Sequence, residues 1–168
     1  MPRLFFALWP DEAAGAKLAS LAGQLAQRSG GKAVPAGKIH LTLAFLGSVA
    51  DDRVADLAAL QVEATSFPMR LDCVGAFRKV GVAWAGVQSP PPELLALQSK
   101  LMRVLARRGF PLEERAYVPH VTLVRKVRGS EARAAIEPIE WMAREVTLVR
   151  SDTGTGRYTR ISGWHLRD

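Results

Sequence analysis

Lys38-Ile39-His40-Leu41-Thr42-Leu43-Ala44-Phe45-Leu46-Gly47 is the stretch on which the reading of this chain turns. Its apolar residues suit a strand from His40 to Leu46, and Gly47 closes it. Side chains alternate faces along a strand, so His40 and Thr42 share one side while Leu41 and Leu43 share the other. The pattern returns as Val118-Pro119-His120-Val121-Thr122-Leu123. The chain holds three histidines, and two of them carry a threonine two residues on. With so few threonines, chance alone gives that coincidence about once in two hundred such chains. A lone histidine in an apolar strand is more often a satisfied core group, and threonine is simply a good strand former. The repeated pair is what changes the reading. It predicts two related halves, each offering an imidazole and a hydroxyl from a strand whose other face is buried. Two copies are too few for a solenoid.

Working outward, Leu4 to Trp9 reads as a buried strand ended by Pro10, and Asp11 as the cap of a helix to about Arg28. Ala14, Leu18, Leu21 and Leu25 form its inner face. A second helix is expected from Asp51 or Asp52 to about Ser66, with Val54, Leu57, Ala58 and Val62 inward. Met69 to Val74 and Val82 to Val87 read as paired strands. The prolines after Ser89 start a third helix that runs to Arg108, with Gly109 as its stop and Leu94, Leu97, Leu101 and Leu105 on one face. His120 to Val124 is a strand, Ser130 to Ile136 a short helix, and Glu145 to Ser151 and Tyr158 to Leu166 are strands around a turn at Thr153–Gly156. Adjacent strands mixed with strand–helix units give an α+β class. The 168 residues, nearly half of them hydrophobic, are expected to form one domain, 1–168.

The charge balance narrows the partners. Lys and Arg total 23 against 16 Asp and Glu, a formal net charge of +7. Fourteen of the 23 basic residues lie from Lys100 onward. A basic surface concentrates polyanions, although solvated helix faces account for much of such an excess. The single cysteine, Cys73, rules out an intramolecular disulfide and fits a reducing cytoplasm. The apolar run at the start is too short for a signal peptide and meets Asp11 and Glu12 at once, and no stretch has the length of a membrane span. A soluble cytoplasmic protein is expected.

Two imidazoles and two hydroxyls around one small anion suit phosphodiester chemistry without a metal. Histidine titrates near neutrality, so one imidazole can take a proton from attacking water while the other gives one to the leaving ribose oxygen. Threonine hydroxyls can donate to phosphate oxygens, and Arg125, just after the second motif, can offset developing charge. A zinc site is not expected: His165 stands in the Trp164–Arg167 tail without a motif, and no His-Glu-x-x-His occurs. No Gly-x-Ser-x-Gly and no Gly-rich phosphate loop is present, and Cys73 has no neighbouring histidine. A cyclic phosphate on a smaller nucleotide, and an RNA-binding module without catalysis, are the rival readings.

At these residues the chain resembles the two-histidine phosphoesterases, and within them the RNA 2′,3′-cyclic phosphodiesterase or 2′-5′ RNA ligase branch. The likeness runs through Arg3-Leu4-Phe5-Phe6-Ala7-Leu8, His40 to Gly47, Pro119 to Arg125, Arg157-Tyr158 and Trp164. It implies a bilobal fold of two antiparallel sheets with outer helices, pseudo-twofold halves and a central cleft. It implies hydrolysis of a terminal 2′,3′-cyclic phosphate on RNA to a 2′-phosphate, without cofactor or metal; a monomer is expected, because one compact lobe pair can complete the site by itself. Attack by an RNA 5′-hydroxyl in place of water would give an ATP-independent 2′-5′ ligation at the same site. By that analogy His40 is the proton donor and His120 the acceptor, though both motifs look equivalent in the sequence. Thr42, Thr122 and Arg125 would hold the phosphate. Phe5 matches a family aromatic near the cleft, with a base contact and burial in the core both open, and Arg157 and Tyr158 are further candidate substrate contacts.

Overall fold

Alternation in the first strand sets the whole architecture. In β1 (Arg3–Leu8) the side chains of Leu4, Phe6 and Leu8 enter the main core, whereas Phe5 and Ala7 enter a small cluster on the opposite face. The computed structural model, which describes residues 1–129 and 133–168, places β1 beside β3 (Leu41–Ser48) on one side and β8 (Glu145–Ser151) on the other. Beyond β8 lies β9 (Tyr158–His165). The other half is built from β4 (Phe67–Phe77), β5 (Val82–Gly86), β6 (His120–Arg125) and β7 (Ala134–Ala143). The complete order is β7-β4-β5-β6-β3-β1-β8-β9, all antiparallel, with the two-residue β2 (Lys32–Ala33) beside β6. All nine strands form one continuous sheet, and its two halves are joined at the β3–β6 seam by one residue pair, Leu41 with Val121. The fold is α+β with an antiparallel sheet and outer helices, as expected, but the two sheets expected are halves of one, because the edge strands β3 and β6 pair at the seam.

Two long helices cover the core. In α1 (Glu12–Ser29) the Asp11 carboxylate accepts from the Ala14 amide at 2.8 Å, and Gly30 stops the helix at φ 72°. Its fully buried stripe is Ala14, Leu18, Ala22 and Leu25; Leu21 is only partly covered. The second long helix, after the prolines and written α3 below, is Pro92–Arg107 and buries Leu94, Leu97, Leu101 and Leu105 completely. Each such leucine is worth roughly 2 kcal/mol of transfer free energy, which makes this face the anchor of the β3 side.

Two expected elements differ. The helix from 51 to 66 is a 3-10 turn at Asp51–Arg53 and a short α2 (Val54–Ala58). Beyond Ala58 the apolar residues fall at Leu60 and Val62, which is strand spacing, and the chain runs extended to β4. The tail holds it there: the Ser66 amide donates to the Arg167 carbonyl at 2.6 Å, and the Arg167 amide to the Ala64 carbonyl at 2.9 Å. The short helix from 130 to 136 is not formed over its described part, because Ala134 to Ile136 begin β7; residues 130 to 132 lie outside the described residues. Ile139, Trp141 and Ala143 alternate inward along β7, and its edge position tolerates Pro138. No helix among the described residues is long and apolar enough to cross a membrane.

Candidate active site

The seam explains how the two motifs converge. With Leu41 opposite Val121 in an antiparallel pair, one step outward sets His40 across from Thr122 and Thr42 across from His120. Leu41 and Val121 are fully buried on the helix side, so the polar four share the open face. They line a cleft of about 380 Å³ together with Arg125. Phe5 and Tyr158 line it too, on the β1–β9 side. Arg157 does not: it is exposed, and its backbone closes the turn, its amide donating to Thr155 Oγ1 and its carbonyl accepting from Asp152.

Both imidazoles are held the same way. Nδ1–H of His40 donates to the Lys38 carbonyl at 2.7 Å, and Nδ1–H of His120 donates to the Val118 carbonyl at 2.8 Å. A carbonyl can only accept, so each Nδ1 must carry a hydrogen and each Nε2 is left for the cleft. Nε2 of His40 lies 3.1 Å from Thr42 Oγ1. The hydroxyl donates to a neutral ring and accepts from a protonated one, so Thr42 serves either state.

The surroundings are unequal. Phe5 and Trp9 stack on His40 with ring centroids at 4.8 and 4.9 Å, and Tyr158 meets it edge-on at 5.7 Å. Burial among these rings pushes the His40 pKa from 6.5 down to about 4. The Lys38 carbonyl offsets part of that, while repulsion from Arg125 and His120 adds to it. His120 meets only the edge of Phe77, with centroids at 5.0 Å. With a pKa of about 4, His40 is neutral near pH 7.

Residues that sequence reasoning missed hold this arrangement. Lys38 carries the carbonyl that orients His40, and its ammonium donates to the Gly156 carbonyl and lies 5.2 Å from the Tyr158 ring centroid. The far side of that turn is built by Asp152, whose carboxylate accepts from the Gly154 and Thr155 amides at 2.8 and 3.2 Å. Those bonds hold the Asp152 carboxyl below its usual range. Tyr117 donates to the Thr42 carbonyl at 2.8 Å and steadies the first motif from outside; burial raises its phenol pKa. Trp9 was legible in principle, since Phe5, Ala7 and Trp9 share one face of an extended chain. Lys38 and Tyr117 had no signal beyond nearness to a motif. Among the described residues no three His, Cys, Asp or Glu side chains converge.

Known proteins resemble this chain in sequence and fold. Residues 9–155 match the model of the 2′-5′ RNA ligase superfamily. The chain is 35% identical over 143 residues to the RNA 2′,3′-cyclic phosphodiesterase of Escherichia coli strain K12, covering 81% of this chain and 80% of that one. It is 31% identical to the protein of the same name from Thermotoga maritima, over 88% and 83% of the two chains. Its structure superimposes on Escherichia coli LigT complexed with 3′-AMP with a TM-score of 0.85, 32% identity and full coverage of both chains.

Proposed function

The chain belongs to the 2′-5′ RNA ligase superfamily, and from that premise we propose that it is an RNA 2′,3′-cyclic phosphodiesterase that works by metal-free acid–base catalysis between His40 and His120. The observation that carries this reading is the pair of imidazoles, each with Nδ1 tied to a carbonyl two residues back and Nε2 toward one cleft. The terminal cyclic phosphate sits between them, its non-bridging oxygens on Thr42, Thr122 and Arg125. His120 takes a proton from water as its oxygen bonds to phosphorus. The P–O3′ bond breaks, and His40 gives its proton to the departing 3′ oxygen. The product is a 2′-phosphate beside a free 3′-hydroxyl. With an RNA 5′-hydroxyl in place of water, the same steps join two strands by a 2′-5′ linkage and need no ATP.

His40 is neutral near pH 7 in these surroundings, so on this reading the substrate charges it for the donor role. The anionic phosphate works in that direction, since a negative charge beside the ring favours the imidazolium against burial, the main cause of the lowered pKa, and answers the lesser repulsion from Arg125 and His120. Tyr158, half-buried at the cleft edge, faces the terminal nucleoside on this reading, whereas Phe5 is 4% exposed and supports His40 from the core. One phosphoesterase domain over 1–168 is composed of two interleaved lobes, since the first strands pair with the last ones around the middle of the chain. We place it as a monomer in a reducing cytoplasm, in keeping with the free, buried Cys73.

The test is turnover of an RNA oligomer ending in a 2′,3′-cyclic phosphate, in excess chelator, beside His40→Ala and His120→Ala. The expected result is a 2′-phosphate product from the wild type and losses of roughly 10²- to 10⁴-fold in each variant. Activity abolished by chelator, or retained by both variants, overturns the mechanism.

A further inference from the structure

A groove of about 760 Å³, twice the volume of the catalytic cleft, opens from it past Thr42, Phe45 and His120. Its walls are β3, the β4–β5 hairpin, the outer face of α3 at Gln98 and Met102, and the segment leading into β6. Most of its surface is apolar. Phe45, Val80 and Val118 are 40%, 67% and 53% exposed, the kind of grouped apolar exposure that marks a binding surface. The hairpin tip adds two cations, Arg78 and Lys79, which make no ion pair among the described residues. Arg115 on the opposite wall is matched by Glu113 at 3.3 Å.

We infer that this groove holds the nucleotides immediately 5′ of the cyclic phosphate, with bases on the apolar floor and backbone phosphates on Arg78 and Lys79. The inference rests on the phosphodiesterase reading and extends it to the substrate's length. A strand whose terminal phosphate lies between His40 and His120 must leave the cleft through its own 5′ oxygen, and this groove opens from the cleft along β3 at Thr42 and Phe45. An aromatic and aliphatic floor edged by cations is the composition that binds single-stranded nucleic acid without base preference, by stacking and charge. A protein partner would want an apolar floor with its rim charges answered, and two of the rim cations here are not. The hairpin tip is set by Gly81 at φ 65°, which turns the chain back so that 78 to 80 project from the sheet.

The experiment compares kcat/KM for uridine 2′,3′-cyclic phosphate and for a tri-uridylate ending in the same group. It is run on the wild type, on the double variant Arg78→Gln/Lys79→Gln, and on Val80→Asp. The wild type is expected to prefer the trimer at least about tenfold at low salt. Its log kcat/KM should fall with log salt more steeply for the trimer, by about 0.7 for each phosphate held. Both variants should pull the trimer-to-monomer ratio toward one, and the double variant should also flatten the trimer's salt slope. A wild-type ratio near one with good monomer turnover overturns the groove assignment and leaves the phosphodiesterase reading intact. A ratio that survives both variants overturns it as well. No turnover of either substrate sinks the phosphodiesterase reading, and the inference with it. The ratio is taken within one protein preparation, so partial misfolding of a variant cannot imitate the result.

Discussion

Lowering the pH from about 7.5 to about 5 should cost the native state about 2 kcal/mol at His40 alone. The imidazole titrates near 6.5 in the unfolded chain and at about 4 in the cleft. Between those values the unfolded state binds the extra proton, so stability rises with pH across the window and is lost as pH falls through it. Below the folded value the loss levels off, at about 3 kcal/mol in total. Carboxylates also titrate in acid, so the measurement is a difference. Urea unfolding of the wild type and of His40→Gln, each at the two pH values, should show the wild type losing about 2 kcal/mol more than the variant. A direct check is the NMR titration of the His40 ring. Parallel pH dependences in the two proteins, or a ring that titrates near 6.5, would refute the claim that Phe5, Trp9 and Tyr158 keep His40 neutral. The same titration with inorganic phosphate bound should move the His40 value upward, because an anion beside Arg125 cancels the repulsion on the ring.

Three further expectations concern roles and support. A substrate with sulfur in place of the 3′ bridging oxygen needs no proton donor, so it should rescue His40→Ala by most of the roughly 10²- to 10⁴-fold loss and leave His120→Ala impaired; the reverse pattern would exchange their roles. Lys38→Met removes the bond to the Gly156 carbonyl and the cation over Tyr158, and should raise hydrogen exchange across Thr153–Gly156 while costing on the order of 1 kcal/mol in stability. An unchanged exchange pattern would mean that the turn stands without Lys38. A Cβ at Gly31 would lie 2.6 Å from the Arg125 carbonyl and from Val124 Cγ1, so Gly31→Ala should destabilise the fold by about 1–3 kcal/mol and lower kcat/KM through a displaced Arg125. A variant as stable and active as wild type would show that β2 yields freely at this point.

The site was legible to the extent that it lies in local periodicity. His40 and Thr42, and His120 and Thr122, share faces because a strand alternates, and no long-range information is needed to say so. The leucine stripe of α3 and the Asp11 cap were readable for the same reason. The 51–66 segment shows where that reasoning stops. Val54, Leu57 and Ala58 fit a helix, but Leu60 and Val62 fit a strand equally, and contacts with Arg167 from the far end of the chain decided between them. β7 was hidden likewise, because its pairing partner β4 lies some sixty residues earlier in the chain and supplies the hydrogen bonds that an isolated Ala-rich segment would seek in a helix.

What the sequence determined by itself is the α+β class and the two motifs, each with its imidazole and hydroxyl on one strand face, because both are written in spacing and residue type. The tertiary structure alone decided their inequality. Both motifs read as the same imidazole beside the same hydroxyl, yet β1, Trp9 just after it and β9 bring three aromatic rings onto His40, while among the described residues His120 meets one ring edge beside an open groove. A pKa depends on how much water and charge surround a group, and those neighbours come from strands distant in sequence.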